Sequence, residues 1–278
     1  MRKTYRNQTS FDYWKSRWES VEADAPMQNT KKYPLICALK ILEGCQVEKT
    51  RILEAGCGTG RLLRHFHQKG FNIIGIDFIP NAIEKILSLN GNLQAEVGDI
   101  TNLKFDDNTF THILAFGLYH NFEIDIMKSA LVETSRVLQE GGTLCASFRA
   151  DNLKNSLNDR FFSSGLGSRF KSNVQNNRIF HKINLTYEEV AKVVENAGFE
   201  VTRIYEIENM PLLYKIKLFR HQSHKIFDEN LARTDGYVLN SLGQYITNFL
   251  KKFFPKQFCN LYVVEAKKIS EQRKKNQV

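Results

Sequence analysis

The segment Ile52-Leu-Glu-Ala-Gly56-Cys-Gly58-Thr-Gly60-Arg-Leu-Leu63 gathers the residue types best suited to holding a small molecule. Gly56, Gly58 and Gly60 alternate, so the backbone can turn sharply and approach a flat ligand where any Cβ would collide. Cys57 stands between the first two glycines, and Glu54 precedes them by two residues. Two further acids close later apolar runs: Asp77 ends Phe71-Asn-Ile-Ile-Gly-Ile-Asp77, and Asp99 stands just before Ile100. Phe78 follows Asp77 and offers a wall to a planar ring. Three carboxylates around a glycine loop favour a ligand carrying positive charge and disfavour a pyrophosphate. The dinucleotide fingerprint fails independently, because the third small residue it requires is Arg61 or Leu63, depending on where the count begins. No Gly-Lys-Ser/Thr phosphate loop is present in this segment either.

These residues need a scaffold that brings the ends of several strands together. Residues 51–55 read as an apolar strand running into the glycines, and Leu62, Leu63 and Phe66 mark an amphipathic helix that stops at Gly70. Further strands are expected at 71–77, 95–100, 110–117 and 144–148, with a helix over about 125–138 closed by Glu140-Gly141-Gly142. Thr186-Tyr-Glu-Glu189 has the form of a capping box, opening a helix that runs to Asn196 and stops at Gly198. Strands at 199–207 and 260–267 complete the set. Asp77 lies about 20 residues beyond the glycines, where an acid in a fold of alternating strands and helices accepts hydrogen bonds from ribose hydroxyls. A nucleoside that also carries an ammonium and a sulfonium fits this arrangement, and S-adenosylmethionine is such a molecule.

With these motifs in this order, residues 50–150 resemble the class I S-adenosylmethionine-dependent methyltransferase family. Glu54-Ala-Gly56-Cys57-Gly58-Thr-Gly60 is similar to its first motif, Asp77 to the acid of the second, and Gly98-Asp99-Ile100 to the segment along the adenine edge. Phe116-Gly-Leu-Tyr119-His120-Asn resembles the segment after the fourth strand, and Arg136-Val-Leu-Gln-Glu-Gly-Gly142 the turn before the fifth. The resemblance implies a Rossmann-like, doubly wound, mostly parallel sheet of seven strands with helices on both faces, an N-terminal helical cap and a helical insertion between the last two strands. It implies S-adenosylmethionine as cofactor, held by Glu54, Gly56, Cys57, Gly58, Gly60, Asp77, Phe78, Asp99, Ile100 and Phe116. It also implies that residues 116–121 lie beside the transferred methyl. His120 then reads either as a general base for an alcohol or phenol or as a histidine that fixes the loop, with Tyr119 and then His181 as lesser candidates. N-terminal segments in the family often fold over the cofactor, so Tyr13, Arg17 or Tyr33 could reach the methionine carboxylate or the acceptor.

The organisation expected is a cap over 1–48, a cofactor-binding core over 49–150, a variable loop over 151–185, the C-terminal half of the sheet over 186–268 with a lid at 209–257, and a basic tail over 269–278. Trp14 and Trp18, four apart, share a helical face in the cap. Tyr214, Phe219, Phe227, Tyr237 and Tyr245 in the lid suit either an acceptor cavity or ordinary core. At 278 residues and 42% hydrophobic content, one decorated α/β domain is indicated. No run is long enough to span a bilayer and no apolar leader opens the chain, so a cytoplasmic location is expected. Five scattered cysteines without ligand spacing indicate reduced thiols and no metal site. The net charge of +9 is concentrated partly in Lys267–Lys275 and in Tyr214–Lys225. The latter reads as a helix with a basic outer face, or as a surface for a phosphorylated substrate, an anionic membrane or RNA. The acceptor expected is a small molecule, a sugar or a lipid-linked intermediate. An RNA methyltransferase is the alternative, disfavoured by the lack of an appended RNA-binding module and of an Asn/Asp-Pro-Pro-Tyr motif. A catalytically silent cofactor-binding subunit is another, and the oligomeric state is left open.

Overall fold

Apolar runs flanked by glycine turns give the central strands of the computed structural model, which describes residues 1–24, 32–89, 91–163, 179–226 and 236–270. Strand β2 (Arg51–Ala55) buries four consecutive residues, Ile52 to Ala55, as a parallel strand covered on both faces must. It is followed by α3 (Arg61–Gln68), β3 (Asn72–Asp77), α4 (Pro80–Leu89), β4 (Gln94–Val97), β5 (Phe110–Ala115), α5 (Ile124–Val137) and β6 (Leu138–Arg149). Two antiparallel strands, β8 (Phe199–Ile207) and β9 (Leu261–Lys268), extend the sheet. The order is β4-β3-β2-β5-β6-β9-β8, the Rossmann-like seven-stranded sheet indicated by the sequence.

One face is covered by α3, α4 and α2 (Leu35–Ile41), with Leu63, Phe66, Ile83 and Ile86 almost fully buried against Ile52 and Ile73. The other carries α5 and α7 (Tyr187–Glu195), where Leu131, Val190 and Val194 pack on Leu53, Ile113 and Val264. Each such fully buried side chain contributes roughly 1.5–3 kcal/mol, which makes the two layers the main source of rigidity for the strand ends. The capping box at the start of α7 is complete: Thr186 Oγ1 accepts from Glu189 N–H, and the Glu189 carboxylate accepts from Thr186 N–H.

Several elements differ from the expectation. The third strand stops at Val97, so Gly98, Asp99 and Ile100 form a loop in which Asp99 bridges to Asn102. Helix α5 ends at Val137 and β6 begins at once. The register of β5 on β6 then jumps from Phe110–Leu138 to His112–Thr143, so the Gly141-Gly142 pair lies in a bulge and not in a helix-to-strand loop. The N-terminal segment begins with a strand, β1 (Arg2–Arg6), before α1 (Ser10–Glu19). β1 pairs antiparallel with β7 (Ile179–Asn184), which with α6 (Leu153–Ser163) occupies much of the region read as a variable loop. The basic stretch read as a helix is three short 3-10 turns, Leu212–Lys215, Lys217–Phe219 and Gln222–His224. Among the described residues of the insertion, the α-helices are α8 (Ser241–Phe253) and the short α9 (Pro255–Phe258). Phe227, residues 164–178 and tail residues 271–278 lie outside the described residues. Among the described residues no helix is long and apolar enough to cross a membrane.

Candidate active site

The ends of β2, β3 and β5 and the loop after β4 border a cleft of about 1140 Å³, roofed by Phe11, Trp14 and Trp18 of α1. Gly56, Gly58 and Gly60 all have φ between 54° and 72°, the left-handed region in which glycine escapes the Cβ clash. The turn is tied to β3 because Gly56 N–H and Cys57 N–H both donate to the Ile76 carbonyl, at 2.8 and 2.9 Å. A Cβ on Gly58 would stand 2.5 Å from the Trp18 indole. The flat group against the middle of the loop is therefore the chain's own Trp18, itself stacked on Trp14 with centroids 5.5 Å apart. Cys57 is buried, and its Sγ would lie 2.9 Å from a Cβ on Gly75, so the thiol packs on the sheet while the residue's outer edge borders the cleft.

The three acids line this one cleft and are held differently. Glu54 is buried; its Oε2 accepts from Leu63 N–H at 2.8 Å. Burial pushes its carboxyl up to about 8, against the Leu63 hydrogen bond and Arg61, which pull it down. Asp77 accepts from Gly58 N–H through Oδ2 (2.8 Å) and from Ile79 N–H through Oδ1 (3.0 Å), which aims the carboxylate across the turn. Its carboxyl is raised by burial, with those backbone donors opposing. Asp99 is exposed, and its Oδ1 accepts from both the N–H and the hydroxyl of Thr101, each at 2.8 Å. Phe78, 60% exposed, stands edge-on to Phe11 at 5.9 Å, and Ile100 is buried on the same border.

Beyond β5, Phe116 lines the cleft and meets the Tyr33 ring edge-on at 5.5 Å. The Tyr33 hydroxyl donates to Ser147 Oγ at 3.0 Å, and the same oxygen accepts from Gly117 N–H at 2.8 Å. Arg17 lines the cleft, but Tyr13 does not: its ring lies under the Arg6 guanidinium at 4.3 Å and 6.3 Å from the His181 ring. Tyr119 is turned into the core, its hydroxyl paired with Thr134 Oγ1 at 2.7 Å and its ring stacked on Phe148. His120 is buried behind the cleft wall, while its neighbours Leu118 and Asn121 border the cleft. Its Nδ1 has no partner, and burial, then Lys182 and Arg149, hold the imidazole well below its ordinary range and so neutral. Tyr214 is also core, bonded through its hydroxyl to His224 Nδ1 at 2.9 Å; the insertion meets the cleft through Asn209 and Tyr237 instead.

Of the lid aromatics read as cavity or core, Tyr237 borders the cleft, whereas Arg61, Thr101 and Asn209 are cleft residues the sequence did not single out. A signal for Arg61 existed, since a long cation stood where a dinucleotide loop needs a small residue. The donor set fits S-adenosylmethionine: carboxylates for an ammonium and ribose hydroxyls, Phe78 and Ile100 for a planar base, and Arg17 and Arg61 for a carboxylate.

Residues 52–142 match the family model of the methyltransferase domain. Demethylmenaquinone methyltransferase of Staphylococcus epidermidis is 36% identical over 112 residues, 37% of this chain and 44% of that protein. Probable tRNA methyltransferase 9B of Homo sapiens is 33% identical over 105 residues, 37% of this chain and 22% of that protein. The chain thus spans less than half the length of the curated relatives it matches. A SAM-dependent methyltransferase from Archaeoglobus fulgidus superposes with a TM-score of 0.57 at 16% identity, over 93% of this chain and 100% of that one, and shares the fold.

Proposed function

We propose that this chain, which matches the methyltransferase-domain model over residues 52–142, is a class I S-adenosylmethionine-dependent methyltransferase that moves a methyl group onto an oxygen of a small-molecule, sugar or lipid-linked acceptor. The observation that carries the reading is the convergence of Glu54, Asp77 and Asp99 on one cleft beside a left-handed glycine turn. When bound, S-adenosylmethionine supplies an electrophilic sulfonium methyl for in-line displacement.

The chain's own part is to hold, orient and exclude. Asp77, fixed by two backbone N–H groups, retains lone pairs for the ribose hydroxyls. Of the residues lining the cleft, Asp99 and Thr101 would hold the adenine edge, Glu54 the ammonium, and Arg17 with Arg61 the carboxylate. Ser147 fixes the 116–117 backbone through Gly117 and anchors Tyr33, which keeps the wall beside the reacting centre in place. Trp14 and Trp18 close the roof against water. In this reading His120, neutral and with an Nδ1 that has no partner among the described residues, takes the proton of an acceptor hydroxyl that reaches it past Leu118 and Asn121.

The test supplies nucleotide sugars, glycolipid precursors, small phenols and bulk tRNA separately, with methyl-labelled S-adenosylmethionine. Label is expected in one of the first three classes. His120→Gln should lower kcat about 100-fold or more and leave affinity for S-adenosylhomocysteine within about twofold. Label entering only tRNA, or an unchanged kcat in His120→Gln, would overturn the acceptor class or the base respectively.

A further inference from the structure

The cleft's acids belong to the ends of β2 and β3 and the loop after β4, one half of the sheet. Cations gather on the other half, around the ends of β6 and β7. Arg149 is the last residue of β6; its Nε donates to Asn184 at 2.5 Å and its Nη2 to Asp159 at 2.7 Å. Arg2 of β1 meets the same Asp159 at 2.6 Å and Asp151 at 2.8 Å. Arg6 and Lys182 complete the group on the paired strands β1 and β7. Four cations therefore face two carboxylates, and both carboxylates are already engaged by Arg2 or Arg149. Among the described residues, neither Arg6 nor Lys182 has a carboxylate in salt-bridge contact.

Two guanidinium nitrogens here, Arg2 Nη2 and Arg6 Nη1, are buried donors without a hydrogen-bond partner among the described residues. Leaving a buried donor unsatisfied is costly, so a pair of them beside excess positive charge is arranged for something that brings acceptor atoms. Burial, then Arg149 and Arg6, pull the Lys182 ammonium down to about 8, with Asp159 opposing. Lys215, lowered to about 8 by burial, adds its charge from the insertion.

The cluster adjoins the cleft at three points. Asn121, next to His120, lines it, as does Trp14, next to the Tyr13 ring beneath Arg6. Tyr237 also lines it and packs on Tyr214, whose neighbour is Lys215. We propose that Arg6, Arg149 and Lys182 form the anchoring subsite for the methyl acceptor, and that the acceptor is a small molecule bearing a phosphate or carboxylate oxyanion. The proposal rests on the methyltransferase reading. Cationic cofactor and anionic acceptor are then sorted to opposite halves of one sheet, with residues 116–121 between them.

Calorimetric titration of inorganic phosphate and, separately, of acetate tests this at constant ionic strength on full-length protein saturated with S-adenosylhomocysteine. One saturable oxyanion site per chain is expected. It should weaken at least 10-fold in Lys182→Met and in Arg6→Met, while Lys128→Met, removing an exposed lysine of α5, leaves it unchanged. Stronger binding of phosphate assigns a phosphoester and stronger binding of acetate a carboxylate. No saturable site for either, or equal affinity in Lys182→Met, overturns the proposal. So does salt-sensitive retention of tRNA that depends on Lys182 when neither small oxyanion saturates, which assigns the cations to nucleic acid. S-adenosylhomocysteine affinity is measured first: its absence defeats the methyltransferase reading, and its persistence in Lys182→Met shows that a lost oxyanion site is not a lost fold.

Discussion

Glu54 and Gly58 show how much of the site is decided by single residues. With its carboxyl raised to about 8, Glu54 is mostly protonated in the free protein near pH 7. The unfolded chain would release that proton near the ordinary glutamate value, so the folded state binds one more proton between roughly pH 4.5 and 8. Stability from this group is accordingly present at low pH and lost as pH rises through that window. Binding an ammonium beside Glu54 must expel the proton. Affinity for S-adenosylhomocysteine should therefore increase with pH up to about 8, and Glu54→Gln should flatten that rise; a slope unchanged by the substitution contradicts the assignment. Gly58 is constrained twice, by its left-handed φ of 54° and by the Trp18 indole. Gly58→Ala should cost about 1–3 kcal/mol, read as a lower melting temperature. Adding Trp18→Ala removes the steric part, so the double variant should show a favourable coupling of at least about 0.5 kcal/mol. Strict additivity would mean that Trp18 does not rest on the loop.

Elements with strong local signals were legible, and elements defined by distant partners were not. Strands β2, β3, β5, β8 and β9 and helices α3, α5 and α7 announce themselves through apolar period and glycine stops, and the Thr186 box is local by nature. β1 is different. Arg2-Lys-Thr-Tyr-Arg6 shows no apolar alternation, and its partner lies about 180 residues away, so only the folded chain reveals the ribbon. The same limit hid the cleft's far wall. An aromatic residue reads alike in a cavity and in a core, so Tyr214 and Tyr119 could not be told from Tyr237. His120 was legible as a residue of the loop after β5, but not the burial that makes it neutral. α6 is fixed by a buried charge: Lys154, with no exposed side chain, donates to Glu208 at 3.1 Å and to Asn260 at 2.9 Å. Lys154→Ala leaves Glu208 with Lys251 at 3.5 Å and should destabilise by about 3 kcal/mol or more. A companion change, Glu208→Gln, should recover part of that loss in chemical denaturation, because it removes the stranded charge. A Lys154→Ala protein as stable as the parent would show that the pair does not hold α6 to the start of the insertion.

Across the whole molecule, one sheet presents acids at the ends of its first parallel strands and cations beyond its last, and the family domain accounts for the first half only. Relatives matching that half carry names as different as demethylmenaquinone methyltransferase and probable tRNA methyltransferase 9B, so the matched half does not name the acceptor. Cofactor recognition is thus the foundation, and calorimetric titration with S-adenosylhomocysteine, NAD and ATP reads it directly. One molecule of S-adenosylhomocysteine per chain should bind, at least 100-fold more weakly in Asp77→Ala, with no heat from the other two. Binding of NAD or ATP with none of the thioether nucleoside, or an Asp77→Ala protein that binds it as well as the parent, would contradict the assignment of the cleft.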